Sequence, residues 1–234
     1  MEIVKKTVRY KSRSELFEVW PIGDCHLGNI GCDVKKLKET VDLIKDNPRA
    51  YVILMGDICE SITMSDKRFD PRSIDKHYHI TDLSHLIRRQ LDDAIEILLP
   101  LKGKILGALA GNHEEKIRLT SSYDISSELA RALDTPYMGY NGFINLNFSR
   151  QTSPKHTAWT QYVFYIHHGH AGGRRSGSKI NALEDAAHIF DCDCVIQGAR
   201  TQEDNLTANL KIGIRPCRES YAKEAVRHNE RIVS

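Results

Sequence analysis

The chain has 234 residues, 41% of them hydrophobic, and a formal charge of +2. That is enough apolar material for one domain with a sizeable core, and too little chain for two. The near-neutral charge makes no electrostatic case for nucleic acid, and no apolar run reaches the roughly 18 residues that a membrane helix needs.

Residues 1–13 are charged and lack the apolar centre of a signal peptide, so a cytoplasmic protein is expected. Cysteines 25, 32, 59, 192, 194 and 217 show neither paired C-x-x-C spacing nor a compact disulfide framework, which predicts reduced thiols. Residues 16–22 read as a strand. Residues 33–45 read as a helix capped by Asp33, with Leu37, Val41 and Ile44 on one face. Residues 51–55 form a continuous apolar run ending at Gly56-Asp57, as in a strand buried on both faces. The charged, turn-rich stretch 64–78 suggests a loop over a site. Residues 83–99 hold the clearest helical stripe, ended by Pro100. A strand is expected over 104–110 and a short helix over 124–133. Strands are expected over 143–148 and 162–166, with a polar loop at 149–155. A helix is expected over 177–190 and a strand over 194–196. Strands alternating with helices predict an α/β layered fold with mixed sheets flanked by helices.

Four short islands punctuate this pattern: Gly23-Asp24-Cys25-His26, Gly56-Asp57, Gly111-Asn112-His113-Glu114 and His167-His168-Gly169-His170. Each follows an apolar run, and in layered α/β folds ligands collect outside the carboxyl ends of strands. An aspartate after one strand is more often a cap or turn residue than a ligand; the argument lies in four such islands in order. If the chain stays extended through the first island, Asp24 and His26 point the same way. Oxygen and imidazole donors together suit Mn²⁺, Fe or Zn²⁺ better than Ca²⁺ or Mg²⁺ alone. Cys25 and Cys59 are read as small filler residues.

The order D-x-H, G-D, G-N-H-E and H-G resembles the calcineurin-like metallophosphoesterase superfamily over residues 16–198. The glycines and Arg174 in residues 169–179 are similar to phage and prophage phosphoesterases. The resemblance implies a domain over 1–198 with a metallophosphoesterase-like fold and two divalent ions, Mn²⁺ first among them, Fe and Zn²⁺ as alternatives. It implies that Asp24, His26 and Asp57 hold one ion, and that Asp57, Asn112 and His168 hold the other. His113 would act at the leaving group, and Glu114 would support its loop. The substrate would be a phosphomonoester or phosphodiester, with Arg174, Arg175 and Lys179 adding phosphate contacts and His170 an outer group.

One island is missing. The family's last motif, G-H-x-H, aligns with Gly198-Ala199-Arg200-Thr201, which offers no imidazole. Gln202 and Glu203 are the nearest substitutes in sequence. Residues 199–234 lose clear periodicity and are expected to pack loosely, with an exposed helix over 220–230. Ala-Arg-Thr written GCA-CGC-ACN contains, in a shifted frame, ACG-CAC, Thr-His. A frameshift is therefore one origin for the tail, and drift after loss of activity is the other. Three functional readings follow: a phosphoesterase with an impaired site, a catalytically inactive remnant, and a DNA-processing nuclease of the same superfamily. The last is disfavoured by the charge.

Overall fold

In the computed structural model residues 1–169, 188–198 and 211–216 are described. In chain order the strands are β1 (Glu2–Arg9), β2 (Phe17–Ile22), β3 (Ala50–Leu54), β4 (Ile105–Ala108), β5 (Asn141–Ser153), β6 (His156–His167), β7 (Cys194–Gln197) and β8 (Ile212–Ile214). The helices are α1 (Val34–Asp46), α2 (Leu86–Leu98), α3 (Asn112–Ser121) and α4 (Ile125–Ala132). They build an α/β fold with two four-stranded mixed sheets, ordered β1-β5-β6-β7 and β4-β3-β2-β8. No helix among the described residues is long and apolar enough to cross a membrane.

Period-two alternation divides the core between two layers. On β3, Val52 and Leu54 face the helices and pack with Leu37, Val41 and Ile44 of α1, Leu91 and Leu98 of α2, and Leu129 of α4. Ile53, between them, faces the other sheet and packs with Ile144, Leu146, Phe148, Phe164 and Ile166. β2 splits the same way, Trp20 and Ile22 toward the helices, Phe17 and Val19 toward the second sheet. β3 is thus buried on both faces, as its unbroken apolar run predicts, with β2 and β4 parallel on either side. The central sheet therefore delivers β2, β3 and β4 to one edge with their carboxyl ends together.

Helix α1 forms where Asp33 caps it, its side chain accepting from the Lys36 N–H at 2.9 Å. Elsewhere the structure departs from the sequence reading. The charged terminus contains β1, which pairs in parallel with β5 along its whole length and buries Val8. The helix expected over 83–99 is α-helical only from Leu86; residues 80–85 and 99–101 are 3-10 turns, and Pro100 sits inside the second. The polar loop expected at 149–155 is mostly strand, because β5 and β6 extend as a hairpin whose polar residues need not be buried. Helix α3 was not anticipated: it buries only Glu114 and Ile117, too little to print an apolar stripe.

Of the helix expected over 177–190, only the last three residues are described. Of the tail 199–234, residues 211–216 are described. There β8 pairs antiparallel with β2, and Ile214 is buried in the core between the sheets, so this short piece is not loosely packed. The helix expected over 220–230 lies outside the described residues.

Candidate metal centre

The ends of β2, β3 and β4 carry three of the four islands, and the end of β6 carries the fourth. The loops after β2 and β3 stay paired beyond their strands. Asp24 N–H donates to Gly56 O (3.0 Å), His26 N–H to Asp57 O (3.0 Å) and Leu27 N–H to Ile58 O (2.8 Å). The backbone is not extended there, as the sequence reading had it. Asp24, His26 and Asp57 are left-handed, with φ near 51°, 50° and 50°. Such residues cost about 1–2 kcal/mol each, and strain of this kind collects at functional sites. Gly111 lets the third loop close on the second: a Cβ there would overlap the Asp57 carboxylate, and one on Gly56 would lie 2.6 Å from Gly111 N.

Glu114 locks these loops together. It is buried, and its Oε2 accepts from the N–H groups of Asp57 (3.0 Å) and Gly111 (3.1 Å) while Oε1 accepts from Cys59 N–H (3.1 Å). Burial and the Asp57 charge push its carboxyl up to about 8, while three N–H donors favour the ionised form. The loop support expected of Glu114 is therefore directed at the neighbouring loop as well as its own.

The six residues Asp24, His26, Asp57, Asn112, His113 and His168 converge. Ligand atoms of Asp24, Asp57 and His168 lie within 4.8 Å of one another, and so do those of His26, Asp57 and His113. Asp57 belongs to both groups. By distance Asp24 groups with His168, so the groups are not drawn as the expected pairing of Asp24 with His26 was.

His168 shows how a cation fits. It is fully buried, and its Nδ1 lies 2.7 Å from Met55 O. A carbonyl only accepts, so Nδ1 carries the proton and Nε2 is the nitrogen turned to the site. Nε2 lies 3.1 Å from Asn112 Oδ1 and 3.4 Å from Asp57 Oδ2. Two oxygens converging on one ring nitrogen hold a proton now and match the donor set of a divalent ion. Burial opposes charge on this ring, but Asp57 outweighs it and lifts His168 to about 9. In turn His168, with His113 and His26 behind it, overcomes burial and holds Asp57 well below the usual carboxylate range.

His26 differs from His168, whose Nδ1 has Met55 O, in having a buried nitrogen without such a bond. Its Nδ1 is buried and without an aligned hydrogen bond, although Glu60 Oε2 stands 2.9 Å away. Burial works against its charge, while Glu60 and Asp57 raise its pKa above the ordinary value. The His26 and His113 rings meet edge to face at 4.5 Å. His113 has both nitrogens engaged: Nδ1 donates to Glu60 O at 2.7 Å, and Nε2 lies 3.1 Å from Arg68 Nη1. The Nε2 lone pair is thus held by Arg68, and an ion could take it only by displacing that contact. Its own N–H donates to Asp57 Oδ1 at 2.9 Å, fastening α3 to the shared carboxylate. Cys25 and Cys59 are buried thiols whose pKa burial raises well above the ordinary value, so they stay protonated and fill space. The five described cysteines are all free.

Glu60 and Arg68 did not stand out in the sequence. Glu60 is three residues past Asp57, a spacing without a motif. Arg68 lies in the stretch 64–78, which the sequence marks only as a loop over the site. His170, Arg174, Arg175, Lys179, Ala199, Thr201, Gln202 and Glu203 lie outside the described residues. Gly198 is described: its N–H donates to His167 O at 3.1 Å, and a Cβ on it would lie 3.1 Å from His168 O. The last described residue before 199 therefore lies directly beside His168. Comparison with protein-family models found no match, and comparison with curated proteins found none either.

Proposed function

We propose that this chain is a metal-dependent phosphoesterase of the calcineurin-like superfamily, with a metallophosphoesterase-like fold and a site for two divalent ions, Mn²⁺ foremost and Fe or Zn²⁺ as alternatives. The observation that carries the reading is Asp57, one buried carboxylate shared by two groups of metal-competent side chains. The order of the four islands along the chain is its second support.

Asp24, Asp57, Asn112 and His168 would hold one ion and His26 with Asp57 the other, and ions held so would supply Lewis acidity and a water activated at neutral pH. The protein's own part is positioning. Met55 fixes the His168 tautomer, Glu114 fixes the loop of Asp57, and Glu60 turns His113 so that Nε2 faces the substrate side. Burial pushes the His113 pKa down, Asp57 notwithstanding. At neutral pH its Nε2 thus offers a lone pair, and proton donation to a leaving oxygen is confined to the acid side.

The inactive-remnant reading has one observation in its favour, Ala199 and Thr201 where two histidines would complete the ions' ligands. Metal analysis of the purified protein, beside hydrolysis of an aryl phosphodiester with and without Mn²⁺, separates the two. Two bound ions and Mn²⁺-dependent turnover support the phosphoesterase. Bound metal without turnover supports the remnant, and no metal uptake removes the two-ion reading.

A further inference from the structure

We infer that Arg68 is the side chain that grips the phosphoryl oxygens of the substrate, and that Asp66 holds it in place to do so. The inference rests on the phosphoesterase reading for the identity of the ligand and on the segment 61–78 for the rest.

Two Asp-x-Arg pairs lie in that segment, and they behave differently. Asp70 and Arg72 form a local ion pair at 2.8 Å on the surface, the Arg72 side chain 90% exposed. Asp66 and Arg68 make the same fork, Nη2 to Oδ2 at 3.0 Å and Nε to Oδ1 at 3.3 Å, but the Asp66 side chain is only 5% exposed. Asp66 Oδ1 also accepts the Arg68 main-chain N–H at 2.9 Å and the Lys116 ammonium at 2.8 Å. Lys116 belongs to α3, the helix whose first turn carries Asn112 and His113. One nearly buried carboxylate thus fastens the loop to the metal-bearing helix and fixes the guanidinium plane.

Fork pairing uses Nε and Nη2 and leaves the Nη1 edge. That edge is turned onto the site, 3.1 Å from His113 Nε2, while the side chain stays 38% exposed. A planar cation held rigid beside a cluster of carboxylates and imidazoles, with a face open to solvent, is built to meet an anionic oxygen arriving from solution. Arg72 shows that the local pairing alone does not produce this placement. The ligand class is a phosphoester whose phosphoryl group carries at least one anionic non-bridging oxygen.

The test is calorimetric titration with inorganic phosphate, run with and without Mn²⁺, on the unaltered chain and on Arg68→Ala, Arg68→Lys, Asp66→Asn and Arg72→Ala, with Mn²⁺ content measured for each. Arg68→Ala is expected to weaken phosphate by about ten- to a hundredfold, the range of a charged hydrogen bond. Arg68→Lys keeps the charge without the fork and should recover part of the loss. Asp66→Asn should weaken phosphate less than Arg68→Ala, Arg72→Ala should not change it, and Mn²⁺ content should be equal throughout. Equal phosphate affinity in Arg68→Ala and the unaltered chain overturns the inference, as does an equal loss in Arg72→Ala, or no phosphate binding by the unaltered chain. Should the unaltered chain take up no Mn²⁺, the phosphoesterase reading falls, while Arg68-dependent phosphate binding in the metal-free titration still upholds the grip. If Arg68→Ala does not fold, Arg68→Lys carries the decision on its own.

Discussion

His168 Nδ1 donates to Met55 O at 2.7 Å, joining the end of β6 in one sheet to the end of β3 in the other. The bond does two things at once. It closes the two sheets at the edge where the site forms, and it leaves Nε2 as the only ring nitrogen that an ion can take.

Metal affinity should therefore depend on pH through this ring. Without an ion, His168 is lifted from the ordinary 6.5 to about 9. An ion on Nε2 must displace a proton at any pH below that value, so apparent affinity should rise by about tenfold per pH unit toward pH 9 and then level. The sign for the metal-free protein is the opposite. The His168–Asp57 pair stabilises it fully below about 6.5 and is lost as pH rises through about 9. Mn²⁺ binding isotherms and denaturation midpoints across that window check both, and a pH-independent affinity contradicts the assignment of Nε2.

Asp57→Asn and His113→Ala should separate two kinds of loss. Asparagine at 57 removes the shared charge, so metal content should fall at both positions together. His113→Ala should leave metal content intact, because both ring nitrogens already bond to Glu60 and Arg68. Any turnover should then drop by roughly 10²–10⁴-fold, the usual weight of a positioned acid or base. Equal metal loss in the two variants would place His113 among the ligands.

How far these roles were legible varies by residue, for physical reasons. Asp33 announces α1 because a cap and an apolar stripe are local signals, and the run over β3 announces burial on both faces. β1 and β8 are stabilised by partners far away in the chain, β5 and β2, so neither local composition nor charge reveals them. That the four islands come together at strand ends was legible in their order, but their geometry was not. Left-handed φ at Asp24, His26 and Asp57 accompanies the cross-loop pairing, and no local sequence signal announces it. Arg68 was invisible because its neighbour Arg72, in the same Asp-x-Arg context, does nothing comparable.

Glu114→Gln tests the lock between loops. Above about pH 8, where Glu114 is ionised, its carboxylate accepts from Asp57, Gly111 and Cys59 N–H with both oxygens, whereas a carboxamide must turn an NH₂ toward one of those donors. One buried N–H then loses its partner, at about 1–3 kcal/mol. The denaturation midpoint of the metal-free protein should fall accordingly, and metal affinity with it, since Asp57 is set by the same bonds. An unchanged midpoint would mean that Glu114 is already protonated or that the loops hold without it.

The last prediction concerns the missing histidines. Gly198 abuts His168, a Cβ on it lying 3.1 Å from His168 O, so the chain up to residue 198 runs beside that ring. Ala199-Arg200-Thr201 written GCA-CGC-ACN holds ACG-CAC, Thr-His, in a shifted frame. If a single-base shift made this text, the nucleotides after the Gly198 codon will carry that frame, and restoring it will replace the chain from residue 199 onward. A second measurement is independent of the gene. Ala199→His with Thr201→His should raise Mn²⁺ affinity by more than the roughly 10–100-fold that outer-sphere partners contribute, provided the backbone past Gly198 still leads over the site. No gain would show that the lesion exceeds two side chains. Two ions held tightly by the unaltered chain would show that Asp24, His26, Asp57, Asn112 and His168 suffice, and that the site was never crippled.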